Sequence, residues 1–424
     1  MKGIIKDLAR RFGIEIRRYA PAQSHDRVVS LVPEGACRDS MLLSYIIAPF
    51  LLKEGESLPS SHTNYGESLE IAATFLGMGY AVDVIDYRNR TFIPAKKYSC
   101  FVAARTNFAR IAQLLNGDCI KIAHLDTAHW LFNNYATYQR GLALRERRGV
   151  AVGGMRTVEF NLAIEHADCA TVLGNGFTLG TYAYAGKPLY RMYVPAAALY
   201  PWSETKRHDE CRNSFLWLGS GGLVHKGLDL VLEAFSEMPD HHLYVCGPVK
   251  DERYFEQAFF KELYCTPNIH TLGWVDIASA EFAAVLERCI GIVYPSCSEG
   301  QAGSVVNCMQ AGLIPIVSYE SGIDVGDFGV MLRECSVAAV KEAVQEISHH
   351  PAASLGERSR RTWEYARRHH TREQFSEHYR ATIRRIMEQH GSSRTLRKET
   401  STASAMPKRR SVVTVPTSGR MSYE

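Results

Sequence analysis

The sequence predicts an α/β protein: two parallel-sheet domains followed by a C-terminal helical segment. Three observations carry that prediction. From near residue 40 onwards, short runs rich in β-branched and aromatic residues alternate with helix-length amphipathic stretches. The strand runs of the second half are apolar throughout rather than alternating, as in sheets covered on both faces. The alternation breaks once, at PAAALYPWSETKRHDECRNS, where two prolines and a polar run place a linker at residues 196–213. Each half therefore reads as a series of β-α-β units, that is, as a Rossmann-like domain.

The elements follow in order. SMLLSYIIAPFLL is a buried strand and its exit, and ESLEIAATFLGMG has helical spacing. AVDVIDY, SCFVAA, CIKIAHL and CATVLG read as the later strands of a first domain over residues 28–195. In the second domain, residues 214–352, the strands FLWLG, HLYVCG, IHTLGWV, IGIVYP and IPIVSY alternate with helices. Those helices are expected around KGLDLVLEAF, YFEQAFFKELY, SAEFAAVLERC and SVVNCMQAG. Residues 353–390 read as two helices divided near His369 to Thr371. The remainder, 391–424, is a basic Ser/Thr-rich tail without periodicity, expected to be disordered. Residues 1–27 form an N-terminal segment in which Ile4, Ile5, Leu8 and Phe12 recur at helical spacing among basic residues. Such a stretch packs on its own domain or makes peripheral contact with an anionic membrane.

Composition excludes some classes. The net charge of the 424 residues is +4, but seven Lys or Arg against two Glu in residues 391–424 put +5 in the tail. The body carries about −1 and has no basic excess with which to hold nucleic acid. Eleven cysteines occur singly, without a Cys-x-x-Cys pair, as expected of small buried hydrophobes in a reducing cytoplasm, free or at an inner membrane surface. The longest apolar run, Met41 to Leu52, is well short of the roughly 20 residues a spanning helix needs. No metal-ligand cluster is visible, so no metal and no resident cofactor is expected.

Two segments carry chemistry. In FLWLGSGGLVHKGLDLVLEAF a buried strand ends in Gly219, Gly221 and Gly222, and a helix opens near Lys226 and Gly227. A glycine turn before a helix lets backbone N–H groups approach an anion, and Lys226 adds a charge at the same place. Neither the dinucleotide fingerprint nor the nucleoside-triphosphate loop fits: Val224 stands where the first needs glycine, and no Gly-Lys-Ser/Thr occurs. In IVYPSCSEGQAGSVVNCMQAGLIPIVSYESGID a strand runs into Pro295 and Ser296, and a polar loop carries Glu299. A helix then begins near Ser304 after Gly300 and Gly303. Ligands of open α/β sheets bind beyond the carboxyl ends of strands, so one cleft is expected to hold Lys226 and Glu299 together.

These segments resemble the donor half of retaining GT-B glycosyltransferases, specifically glycosyltransferase family 4. The resemblance rests on Lys226–Gly227, Pro295–Ser296, Glu299, the glycine turn after it, and Ala311-Gly312-Leu313-Ile314-Pro315-Ile316-Val317. It covers residues 214–320 well and the first half in architecture only. It implies a nucleotide-diphosphate sugar as co-substrate, with Lys226 on the diphosphate and Glu299 on the sugar. Gly219, Gly221, Gly222, Ser296, Gly303, Ser304, Val305 and Asn307 would complete the donor site. Two departures stand out. The family's second glutamate, eight residues after the first, is Asn307 here, and its arginine five residues before the lysine is Gly221. His225 and backbone amides would have to help Lys226.

On the acceptor side the resemblance implies a loop after the first strand, holding His62 and Asn64, the latter also a helix cap. It also implies a functional histidine near the donor sugar, with His129 the first candidate and His124 the second, and Asp126 beside them. The implied reaction transfers a sugar with retention to a glycan or lipid-linked acceptor in surface polysaccharide or glycoconjugate synthesis. Two alternatives share the fold: a non-catalytic nucleotide-sugar sensor or scaffold, and a nucleotide-sugar epimerase or hydrolase. A paired-carboxylate glycosidase is not favoured by the two-domain pattern.

Overall fold

The computed structural model of the chain describes residues 25–53, 56 and 63–403, with side chains described to residue 390. The amphipathic stretch at residues 1–18, His62 and the end of the tail lie outside the described residues.

The first sheet contains β1 (Val28–Leu31), β2 (Asp39–Tyr45), β3 (Tyr80–Asp86), β4 (Cys100–Ala103), β5 (Ile120–Leu125), β6 (Cys169–Leu173) and β7 (Leu189–Met192). Their order is β1-β3-β2-β4-β5-β6-β7, all parallel except β1, which runs antiparallel to β3. The buried strands β4 and β6 are apolar along most of their length because helices cover both faces. The half-exposed edge strand β1 has no such run and gives no clear signal in the sequence.

The second sheet contains β8 (Ser214–Leu218), β9 (His242–Cys246), β10 (Ile269–Gly273), β11 (Gly291–Tyr294), β12 (Ile314–Val317) and β13 (Val330–Met331). Its order, β10-β9-β8-β11-β12-β13, is that of a doubly wound sheet, and every pairing is parallel. The chain reverses its direction of travel across the sheet between β8 and β11. Loops leaving those two neighbours diverge to opposite faces and open a crevice at their carboxyl ends. In the first sheet the corresponding crevice lies between β2 and β4.

The helices that matter for the site are α1 (Asn64–Gly77), α2 (Asn107–Leu114), α3 (Trp130–Arg148), α4 (Gly176–Tyr182), α5 (Leu228–Ser236), α6 (Ala280–Arg288), α7 (Gly303–Met309), α8 (Val337–His349), α9 (Ala352–His369) and α10 (Arg372–Ala403). The stretch YFEQAFFKELY forms two short helices, Arg253–Ala258 and Phe260–Cys265, instead of one. At the break Phe259 is fully buried and stacks on Phe255 with ring centroids 4.6 Å apart. Helix α10 runs to Ala403, so residues 391–403 are helical rather than the expected disordered start of the tail. Arg, Leu, Lys and Glu there are good helix formers, and extending an existing helix needs no new nucleus.

Residues 352–380 touch both domains. The Gln310 side-chain amide donates to the carbonyls of Ala366 and His370, and Ala196 N–H donates to the His370 carbonyl at 2.9 Å. The His370 ring bonds the Val194 carbonyl at 2.8 Å, and Arg372 pairs with Glu70 on α1.

Candidate functional site

The carboxyl ends of the two sheets face one cavity of about 480 Å³. From the second domain come Gly219, Lys226, Tyr294, Glu299, Gly303, Ser304 and Asn307; from the first come Tyr45, Asn64, Glu67, Arg105, Asp126 and Arg156.

Lys226 and Glu299 meet there. The lysine Nζ lies 2.6 Å from Glu299 Oε1 and donates to the Tyr294 hydroxyl at 2.8 Å, while that hydroxyl donates to Glu299 Oε1 at 3.1 Å. Both side chains are almost wholly buried, at 4% and 7% exposed. Burial, reinforced by the Arg156 cation and partly offset by Glu299, pushes the lysine down to about 8. Burial opposes ionisation of Glu299, but Arg156 and Lys226 outweigh it and hold the carboxyl well below its usual range. The pair is ionised at neutral pH.

The local sequence explains this geometry. Lys226 follows a turn whose floor is the fully buried Trp217 indole, and the indole N–H donates to the Lys226 carbonyl at 3.3 Å. A Cβ on Gly219 would sit 2.5 Å from the Trp217 ring and 3.1 Å from the lysine stem, so only glycine leaves the lysine a path. Gly227 has φ +75°, and a Cβ there would sit 2.5 Å from the Pro295 carbonyl oxygen. The lysine turn and the Pro295–Glu299 loop are therefore packed backbone to backbone.

Several expected roles change. His225 is buried between Thr137 Oγ1, 2.8 Å from Nδ1, and the Ser298 carbonyl, which takes the Nε2 proton. Burial pushes it down to about 3, so it is neutral and cannot serve as the second cation beside Lys226. The amides of Gly222 and Leu223 already donate to the Glu252 carboxylate, the latter at 3.2 Å, so an internal anion occupies the glycine turn expected to cradle a diphosphate. Gly221 faces a neighbouring hollow of about 400 Å³ at the ends of β8, β9 and β10, which shares Ser220, Gly247 and Trp274 with the main cavity. Ser296 and Val305 are fully buried and are not among the cavity-lining residues. Ser296 Oγ bonds the His225 carbonyl at 3.2 Å.

Asn307 lines the cavity, but its Oδ1 accepts from the N–H groups of Ala197 and Ala198 at 2.9 and 3.4 Å. Its oxygen thus orients the interdomain segment.

Of the histidines expected on the acceptor side, His129 and His124 are not among the cavity-lining residues. His129 opens α3, with its ring bonded to the Tyr184 hydroxyl at 3.0 Å, and burial lowers its pKa. Tyr184 in turn donates to Glu165. His124 is fully buried on β5 against Thr171 Oγ1 at 2.9 Å. Asp126 does line the cavity, in a two-point ion pair with Arg105 at 2.7 and 3.2 Å. Arg105 is the one residue other than glycine with positive φ, +66°, among the described residues, a strained backbone at the end of β4 in the first sheet's crevice. Asn64 also lines the cavity with its Oδ1 unbonded; the cap position of α1 belongs to Thr63, which makes no side-chain cap bond. Tyr45 donates to Glu67 at 2.9 Å beside them.

Arg156, Arg105, Tyr294, Glu252 and Trp217 were not identified from sequence. Arg156 sits in an irregular segment away from any strand end, and the only local signal is the Gly153–Gly154 pair just before it, which does not follow a strand. Trp217 and Tyr294 are strand residues that read simply as core.

Two doubly wound sheets enclosing such a cleft define a GT-B glycosyltransferase fold. Residues 212–350 match the family model described as "Glycosyl transferases group 1". Among solved structures, sucrose-phosphate synthase from Thermosynechococcus elongatus aligns with TM-score 0.58 at 16% identity, over 83% of this chain and 100% of that one. A glycosyltransferase from Rickettsia africae aligns with TM-score 0.54 at 9% identity, over 83% and 98%. Anabaena HepE in complex with UDP and glucose gives 0.52 at 11% identity, over 81% and 99%. No curated protein sequence matches. Family match and fold together support a glycosyltransferase of the group 1 type. Among the described residues no helix is long and apolar enough to cross a membrane, and no group of three His, Cys, Asp or Glu is placed to hold a metal ion.

Proposed function

We propose that the protein transfers a sugar from a nucleoside diphosphate to a hydroxyl acceptor on a glycan or lipid-linked molecule, with retention and without a metal, in surface polysaccharide or glycoconjugate synthesis. The observation that carries this reading is the buried contact between Lys226 and Glu299 at the switch point of the second sheet. The diphosphate lies at Lys226, with the nucleoside directed along the ends of β8, β9 and β10 towards Trp274. The sugar lies against Glu299, all of whose side-chain bonds fall on Oε1. The acceptor enters over Asn64, Glu67 and the Arg105–Asp126 pair, and Asn307 presents its amide nitrogen towards the ribose.

In the transfer step the bond from C1 to the diphosphate oxygen breaks and its electron pair stays on the phosphate. The acceptor oxygen bonds C1 from the same face, and its proton passes to the leaving phosphate. Lys226 stabilises the developing charge in a site screened from water, where such stabilisation is strongest. Positioning of the two substrates supplies the rest.

The test incubates the wild type with UDP-, GDP- and ADP-sugars and candidate acceptors, and follows the product anomer by NMR. Lys226→Ala is expected to reduce transfer by a factor of about 100 or more while the far-UV spectrum is unchanged. Undiminished transfer in that variant overturns the reading. Free sugar released without an acceptor points instead to a hydrolase of the same fold.

A further inference from the structure

A diphosphate brings more charge into the cavity than Lys226 alone can balance. Three cations line the cavity among the described residues, Arg105, Arg156 and Lys226, alongside the carboxylates of Glu67, Asp126, Asp276 and Glu299. Each cation already faces a carboxylate, so an entering anion has to draw one away. Arg105 is gripped at two points by Asp126, and Lys226 is buried between Glu299 and Tyr294. Arg156 is held at a single point. Its side chain is 37% exposed and makes one hydrogen bond, from Nη1 to Glu299 Oε1 at 3.2 Å. The rest of its five-donor fork remains available for a planar two-point grip on phosphate.

The structure also shows how Arg156 is aimed. Its backbone carbonyl is pinned to α3 by the Asn133 amide and the Thr137 hydroxyl, both at 3.2 Å. Two residues on, Val158 is clamped through both its N–H and its carbonyl to Asn134. On the other side the glycine turn is shaped around its stem. Gly222 has φ +86°, and a Cβ there would sit 2.9 Å from Arg156 Cβ.

We propose that Arg156, carried by the first domain, is the second cation on the donor diphosphate and does the work for which Gly221 offers no side chain. The assignment rests on the function proposed above. In the transfer step Arg156 neither gains nor loses a proton. It leaves its single contact with Glu299 for the phosphate oxygens and stabilises the charge that collects there as the bond to C1 breaks. The leaving group is then held from both domains at once.

The test uses the full chain. UDP, GDP and ADP, each paired with its nucleoside, are titrated calorimetrically into the wild type, Arg156→Ala, Arg156→Lys and the double variant Arg156→Ala/Gly221→Arg. Loss of a two-point charged contact predicts about 10- to 100-fold weaker diphosphate binding in the alanine variant, with nucleoside binding unchanged. Arg156→Lys recovers part of the loss. Gly221 does not have positive φ, and a Cβ there meets only Glu252 Oε1 at 3.6 Å, so an arginine is sterically admitted and is expected to restore affinity. Equal diphosphate affinity in wild type and Arg156→Ala overturns this inference alone, as does an equal loss for the nucleoside. A wild type that binds none of the three diphosphates overturns the reading of the donor site as well.

Discussion

Breaking the Lys226–Glu299 contact provides a sharp test of how the site is built. With Nζ and Oε1 2.6 Å apart and both residues under a tenth exposed, the two charges stabilise each other in place of water. Orphaning one member of a buried pair costs roughly 3–5 kcal/mol. After Lys226→Met, Glu299 keeps Arg156 and Tyr294, so the expected cost is lower, about 2–3 kcal/mol. After Glu299→Gln, Lys226 and Arg156 face each other without a counter-charge, and the expected cost is about 3–4 kcal/mol. The double variant removes the unopposed like charges and should cost only about 3 kcal/mol, giving a coupling of about 3 kcal/mol. Urea unfolding followed by tryptophan fluorescence reads this directly, because the buried Trp217 lies under the lysine turn. Single costs that add to within about 0.5 kcal/mol would show that the pair is not the electrostatic centre of the site.

Two further outcomes follow from neighbouring groups. Glu252→Ala frees the amides of Gly222 and Leu223, and UDP binding is expected to tighten roughly 3- to 30-fold by calorimetry; unchanged or weaker binding means that the ligand never uses that turn. The lysine, pushed down to about 8, gives up its proton as pH rises through that value, so diphosphate affinity should hold at neutral pH and fall above it, with a proton taken up on binding in alkaline buffer. The effect on stability has the opposite sign. Above about 8, and up to the lysine's ordinary value, the unfolded chain binds this proton more tightly than the folded one, so this group's contribution to stability rises with pH. Affinity that is flat from neutral to alkaline pH contradicts the assignment of Lys226 to the diphosphate.

Much of the architecture is legible in the sequence because its signals are local. Uninterrupted apolar runs such as those at β8, β11 and β12 specify buried parallel strands, and the helical periods between them specify the crossovers. Glycines that close a strand mark its functional end, which is why Lys226 and Glu299 can be placed in one cleft although 73 positions separate them. The edge strand β1 and the two-residue β13 lack that signal, since neither has a continuous buried run.

What chain order alone determined is the pair of sheets and the two second-domain segments that bring a lysine and a carboxylate to neighbouring strand ends. Packing decided the rest. Arg156 reaches Glu299 across 143 positions, through a segment whose course is set by Asn133, Asn134 and Thr137 on α3. Glu252 enters the glycine turn from a different strand end, and His129 is drawn to Tyr184. Periodicity and turn chemistry act over a few residues, whereas the charge balance of a cleft is a property of side chains that only the folded domains bring within a few ångströms of one another.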